Sequence, residues 1–194
     1  MNFSGCEVKA FREFWAVEHR GLSCAVKSLL LVRHAKSSWD QPGLSDFDRP
    51  LNDRGKRDAP AMGKRLKERG IQPALILSSP AKRAVSTSKR LADAMGHDRT
   101  KIKADPTLYH ADEEDILTVV RGLERKLTSV MIVGHNPGLT DFVNSLNRNQ
   151  EPVILNIPTC GIVAFSFPID EWKTIALGTG KFDFFDFPKR YPAK

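Results

Sequence analysis

Cysteine is scarce in this chain, and its three copies, Cys6, Cys24 and Cys160, stand far apart with no CxxC pair. That excludes a disulfide framework and the common zinc ribbons, and it predicts free thiols in a reducing compartment. Long apolar runs are missing too: nothing approaches the ~20 residues that a membrane-spanning helix requires. Near the start, Glu7, Lys9, Arg12, Glu13 and Glu18 interrupt any signal-peptide-like apolar core. A cytoplasmic protein without a membrane partner is expected. No GxxxxGK[ST] loop is present, which excludes a P-loop NTPase. No HExxH or carboxylate-bearing ligand set accompanies the histidines, so neither a metal nor a cofactor is expected. Zinc-finger spacing and RNP-like aromatic signatures are absent, and a nucleic acid partner is not expected. Internal repeats and low-complexity linkers are also lacking.

What remains is an ordinary globular composition. The chain has 194 residues, 41% of them hydrophobic, and a net charge of +7 from 30 Lys+Arg against 23 Asp+Glu. This length supports one domain with a full core, and the positive total fits either solubility or the steering of anions. Residues 27–194 are expected to form that domain. Residues 1–26 precede the first strand as an extension of unknown role. Phe11, Phe14, Trp15 and Val17 offer it a weak apolar stripe, and His19 reads as a surface residue.

Chemistry is concentrated where apolar runs end. Residues 29–32 form a strand-length run, apolar on both faces, that stops at Arg33-His34. Such a run predicts a strand buried between helices in a parallel α/β sheet. A second run, 74–77, opens into Ser78-Ser79-Pro80-Ala81-Lys82-Arg83, and a third, 130–133, into Gly134-His135-Asn136-Pro137-Gly138. Ligands in open α/β sheets collect at the carboxyl ends of strands. Arg33, His34, Arg83 and His135 would there line a cationic, donor-rich pocket suited to a phosphoryl group.

Between these runs the pattern predicts helices. Asn52 is a candidate cap for a helix kinked or freshly started at Pro60, with Lys64, Arg65, Lys67, Glu68 and Arg69 facing water and Gly70 ending it. Further helices are expected over 81–95, from Asp112 to Leu127, and over 139–146. A short strand is expected over 101–104, later strands over 161–167 and 174–177, and a surface-lying tail from Phe182 onward.

Imidazole attacks phosphorus when one ring nitrogen is neutral and the other is held by an acceptor, for which a backbone carbonyl after His34 would serve. Arginines grip the outer oxygens as negative charge spreads over them.

The motif Arg33-His34-Ala35-Lys36-Ser37-Ser38-Trp39 resembles the RHG signature of the histidine phosphatase superfamily, the phosphoglycerate-mutase-like fold. Ser78-Ser79-Pro80 with Arg83-Ala84 and Thr87 is similar to its second motif, and Gly134-His135 before Asn-Pro-Gly to its third. Asp48-Arg49-Pro50-Leu51 and the short chain look most like SixA-type phosphohistidine phosphatases. The resemblance implies a three-layer α/β/α sandwich with a mostly parallel central sheet. It also implies a nucleophilic His34 that becomes phosphorylated, with Arg33, Arg83 and His135 on the phosphoryl oxygens.

Three departures qualify it. Ala35 replaces the usual glycine. Asp40 stands where mutase-like relatives place a phosphate-binding Asn, so that role is not carried over. The glutamate that donates a proton in larger members is missing, with His110 in its neighbourhood. His110, Asp40 and Asp48 are the candidate acids. An absent strong acid disfavours ester hydrolysis and fits phosphohistidine, and the lack of a lid-building insertion fits a phosphorylated protein. The expected activity is thus metal-independent phosphohydrolysis of protein phosphohistidine. A small phosphate ester or anhydride, or a non-enzymatic phosphoprotein-binding module, is the alternative.

Overall fold

The structure, a computed structural model, describes residues 26–148 and 152–190. The expected N-terminal extension, with its apolar stripe and His19, lies outside these residues except for Val26. In chain order the elements are β1 (Lys27–Arg33), α1 (Asp53–Glu68), β2 (Leu75–Ser78), α2 (Lys82–Met95), β3 (Ile102–Ala104), α3 (Glu113–Arg121), β4 (Ser129–Gly134), α4 (Gly138–Leu146), β5 (Ile162–Phe167) and β6 (Lys181–Asp186).

The six strands form one sheet in the order β3-β2-β4-β1-β5-β6. β3, β2, β4 and β1 run parallel, whereas β5 pairs antiparallel with both β1 and β6. Strand side chains alternate between faces, and here both faces are buried. Leu29, Leu31, Val130, Ile132, Val163 and Phe165 pack with α3 and α4 residues such as Ile116, Val120, Phe142 and Leu146. Leu30, Val32, Ile76, Met131, Val133 and Ala164 pack instead with α1 and α2 residues, among them Met62, Leu66, Leu91 and Met95. The result is the expected three-layer α/β/α sandwich.

The register decides where the site falls. Arg33 pairs with Gly134 in β1 and β4, and Ser78 pairs with Val133 in β2 and β4. Three separate loops therefore leave the sheet at one level.

Several expectations need correction. Asp53–Glu68 is one helix with Pro60 inside it, so no fresh helix starts there, and the Asn52 side chain caps it on the Gly55 N–H as expected. α3 opens on a capping box between Asp112 and Asp115 but ends at Arg121, because Gly122 is its C-cap, and does not reach Leu127. No strand forms over 174–177. The buried Trp172 donates its indole N–H to the Leu127 carbonyl at 2.8 Å and Ile175 is buried, which fixes this connection as a turn. The last strand is 181–186, whose half-buried aromatics suit an edge strand and resemble a surface tail in sequence. Arg65 and Arg69 do not simply face water: both reach the buried Asp186, at 3.0 and 3.4 Å.

Candidate active site

β1 ends with its backbone polar groups spoken for. Arg33 N–H donates to the Gly161 carbonyl, His34 N–H to the Gly134 carbonyl, and Cys160 N–H to the carbonyls of both Arg33 and His34. The buried Ala35 N–H donates to Thr87 Oγ1 at 3.0 Å, and Thr87 in turn donates to the Arg83 carbonyl. This ties the loop after His34 to α2. The next residue sets a second constraint: a Cβ on Gly55 would lie 2.2 Å from the Lys36 carbonyl oxygen, so the start of α1 can approach this loop only as glycine.

His34 Nδ1 stands 2.7 Å from the carbonyl oxygen of Ala35. A carbonyl only accepts, so Nδ1 carries the proton and Nε2 presents its lone pair. Arg83 Nε donates to that Nε2 at 3.3 Å. Burial, above all, and then the charges of Arg83, Arg33 and Arg49 lower the His34 pKa to about 4, against the opposing bond to Ala35. The ring is neutral at pH 7.

His135 ends β4 beside it, with ring centroids 5.0 Å apart. Its Nδ1 faces Arg83 Nη2 at 3.3 Å and its Nε2 faces Ser79 Oγ at 2.8 Å. Since a guanidinium can only donate, Nδ1 accepts and Nε2–H points to Ser79. Burial, followed by the neighbouring His34 and Arg83, pushes His135 down to about 3. One more glycine matters here. A Cβ at Gly138, the first residue of α4, would fall 2.0 Å from the Ala111 carbonyl oxygen, so the His110-Ala111 loop can settle over the helix start three residues after His135.

His34, Arg83 and His135 are thus in mutual contact. Arg33 flanks them, and its charge acts on His34. Its Nη1 donates to the Ile157 carbonyl at 2.7 Å and to Asn156 Oδ1 at 3.3 Å, while its buried Nε has no partner among the described residues. His110 sits at the rim with its ring 6.3 Å from that of His135.

The carboxylate that meets this cluster is Asp46, neither Asp40 nor Asp48. Asp40 and Asp48 bond locally to the hydroxyls of Ser38 and Ser45. Asp46 Oδ2 instead pairs with Arg83 Nη2 at 2.8 Å, its backbone carbonyl accepts from Arg83 Nη1, and Tyr109 Oη donates to its Oδ2 at 3.2 Å. Burial raises its pKa, but bonds from Arg83, Arg49 and Tyr109 outweigh that and hold it at about 2. Sequence reasoning also passed over Ser79, Tyr109 and Asn156. Ser79 lay inside a motif already singled out, whereas Asp46, Tyr109 and Asn156 carry no local signal.

The profile described as "Histidine phosphatase superfamily (branch 1)" matches residues 29–115. An uncharacterized chloroplastic protein of Arabidopsis thaliana is 32% identical over 178 residues, covering 88% of this chain and 78% of that protein. A 2,3-bisphosphoglycerate-dependent phosphoglycerate mutase of Mesorhizobium japonicum is 33% identical over 94 residues, which span only 46% of this chain and 45% of the mutase. Among solved structures, one from Agrobacterium tumefaciens assigned as the phosphohistidine phosphatase SixA superposes with a TM-score of 0.69. It is 29% identical and covers 84% of this chain and 99% of its own. The matched segment carries β1, His34, β2 and Arg83, and likeness over most of the chain extends through β4 and His135: the chain belongs to the histidine phosphatase superfamily.

Proposed function

We propose that this protein is a phosphatase acting on protein phosphohistidine, with His34 as the nucleophile. The observation that carries the proposal is the fixed tautomer of His34. Its Nδ1–H is committed to the Ala35 carbonyl, so Nε2 is neutral at pH 7, and its lone pair attacks once Arg83 Nε, which donates to it at 3.3 Å, turns to the phosphoryl oxygens.

In the reaction, Nε2 forms a bond to phosphorus as the bond from phosphorus to the substrate nitrogen breaks. The departing imidazole keeps the proton already on its other nitrogen and leaves neutral. Water then attacks phosphorus, freeing phosphate and restoring His34. Arg83, Arg33 and His135 bind the outer oxygens and stabilise the charge that spreads over them. His135 donates once its Nδ1 has taken a proton from solvent, which the phosphoryl charge beside the ring favours, while its Nε2–H stays on Ser79 Oγ.

Proton supply favours this substrate over an ester. An alkoxide leaving group needs an acid, yet Asp46 is ionised and paired with Arg83, and His110 stands beside it at the exposed rim, 3.9 Å from Asp46 Oδ2. A protonated phosphoimidazole needs none.

The test is turnover of wild-type protein and His34→Ala on phosphohistidine protein, aryl phosphate and sugar phosphates, with and without chelator. Expected are a preference for phosphohistidine, indifference to chelator, and a folded variant that forms no acid-labile phosphoenzyme. Full activity of His34→Ala would overturn the mechanism, and a preference for esters would overturn the substrate.

A further inference from the structure

Large exposed apolar side chains are not scattered over this molecule. Among the described residues they are Trp39, Leu44, Phe47, Val153 and Leu155, with Trp39 72% and Leu155 93% exposed. All five belong to two segments, 38–48 and 152–157. Single exposed apolar residues are ordinary, but a set gathered in one place marks a contact surface.

Both segments are fastened to the phosphoryl pocket. In the first, Asp46 holds Arg83, and Phe47 packs edge-on against Tyr109 with centroids 5.1 Å apart. Trp39 lies flat on the Arg49 guanidinium, 3.2 Å from its ring centroid, and Arg49 is itself bonded to Ser37 Oγ, the Ser38 carbonyl and Asp46. In the second, Asn156 and the Ile157 carbonyl accept from both Arg33 and Asn136. Ile154 and Ile157 are buried, and the Asn144 side chain donates to and accepts from the Ile154 backbone. This alternation turns Val153 and Leu155 outward from a backbone that is pinned. The apolar rim is preorganised, which lowers the entropy lost on binding.

A phosphoryl group alone is served by His34, Arg83, His135 and Arg33. The rim therefore contacts what the phosphoryl group is attached to. Its charge argues against two occupants. Lys36 and Arg49 are outnumbered by Asp40, Asp46 and Asp48, and 152–157 has no charge at all, in a chain whose total is +7. An anionic membrane or a nucleic acid would be drawn to the opposite sign.

We propose that the 38–48 and 152–157 segments together form the docking surface for a folded protein substrate, one that presents apolar, neutral-to-basic surface around its phosphorylated side chain. The proposal rests on the phosphohistidine phosphatase reading above and goes beyond it by separating recognition from chemistry.

The experiment compares wild type with Val153→Ser/Leu155→Ser and, on the other segment, Leu44→Ser. Two substrates are used: free phosphohistidine and a phosphohistidine-bearing protein domain, with folding checked by thermal melting. Wild type turns over both. The double variant loses tenfold or more in kcat/KM on the protein, through KM, and stays within twofold on free phosphohistidine. Leu44→Ser shifts the same way if the double variant does not fold. Equal effects on both substrates, or none on the protein, overturn the docking surface while leaving the phosphatase reading intact. So does light scattering that shows a wild-type dimer dissociated by the double variant, since the rim would then join two copies of this chain. A wild type inactive on both phosphohistidine substrates overturns the phosphatase reading and this proposal with it.

Discussion

Arg83 with Asp46, at the carboxyl edge of the sheet, and Arg65 and Arg69 with Asp186, behind α1, are built from the same pieces but differ in what surrounds them. Asp186 is 2% exposed, takes two guanidinium groups and also accepts from the Phe187 N–H. Arg69 lies over the Phe184 ring, 4.6 Å away. Every partner there belongs to the fold, and the cluster fastens the edge strand β6 to α1. Asp46 is 41% exposed, and its arginine is shared with two neutral histidines. One arrangement spends its charge on structure. The other holds a buried guanidinium beside two neutral imidazoles, where the proposed mechanism brings the anion. Exposure of the carboxylate and the identity of the arginine's other neighbours separate the two.

The largest expected effect breaks the site without breaking the fold. On the proposed mechanism Arg83→Ala removes a donor that develops its full value only as charge spreads over the phosphoryl oxygens, so kcat/KM should fall by about 10²–10³-fold. Asp46, being partly exposed, is then solvated by water, and the denaturant midpoint moves little. Steady-state kinetics beside urea unfolding checks both halves. Asp186→Ala should behave in the opposite way. It removes the carboxylate that Arg65 and Arg69 share, leaving Arg65 its bonds to the Phe187 and Pro188 carbonyls, and costs about 2 kcal/mol of stability, while kcat/KM of the folded fraction stays within twofold. A loss of activity without a loss of stability there would dissolve the distinction.

Acid sharpens the contrast. His34 and His135 are held at about 4 and about 3, below the 6.5 of a free imidazole. Between those values the unfolded chain binds more protons than the native one, so stability falls as pH drops from 6.5 towards 4 and levels off once the native rings are protonated. For His34 alone the span is on the order of 3 kcal/mol. Turnover should fall over the lower part of this window, because a protonated Nε2 has no lone pair. Unfolding midpoints measured from pH 7 to pH 4, in wild type and His34→Gln, give the check. A midpoint independent of pH in wild type would mean that the rings are not buried neutral.

The sequence made the parallel half of the molecule legible. The runs at 29–32, 74–77 and 130–133 are apolar on both faces because helices cover both faces, and each ends at a residue of the pocket. The antiparallel edge was less readable. Lys181–Asp186 pairs on one side only, its residues are half buried, and its pattern therefore blends into that of a surface tail. Arg65 and Arg69 looked solvated because their partner lies over a hundred residues away. The pocket divides along the same line. His34 and His135 each directly follow a strand and Arg83 stands in the first turn of the helix after β2, whereas Asp46 comes from an irregular loop whose path is set by contacts with α2. Asp40 and Asp48 were equally plausible from composition alone, and only the Arg83 contacts single out Asp46.

The smallest effect tests what Asp46 is for. Its carboxylate orients Arg83 but, on the proposed mechanism, also competes with phosphate for the same guanidinium, and the two roles give opposite signs. Asp46→Asn keeps the shape and the oxygen acceptor while removing the charge. Because the residue is partly exposed, stability should change by less than about 1 kcal/mol. Inorganic phosphate should bind up to about fivefold more tightly, the equivalent of about 1 kcal/mol, as a negative charge leaves the pocket. Turnover should fall slightly as Arg83 loses its tether. Calorimetric titration with phosphate, paired with kcat, reads both signs in one variant. Unchanged phosphate affinity with a stability loss as large as that of Asp186→Ala would put Asp46 in the same class as Asp186, a fastener of the fold with no bearing on the anion.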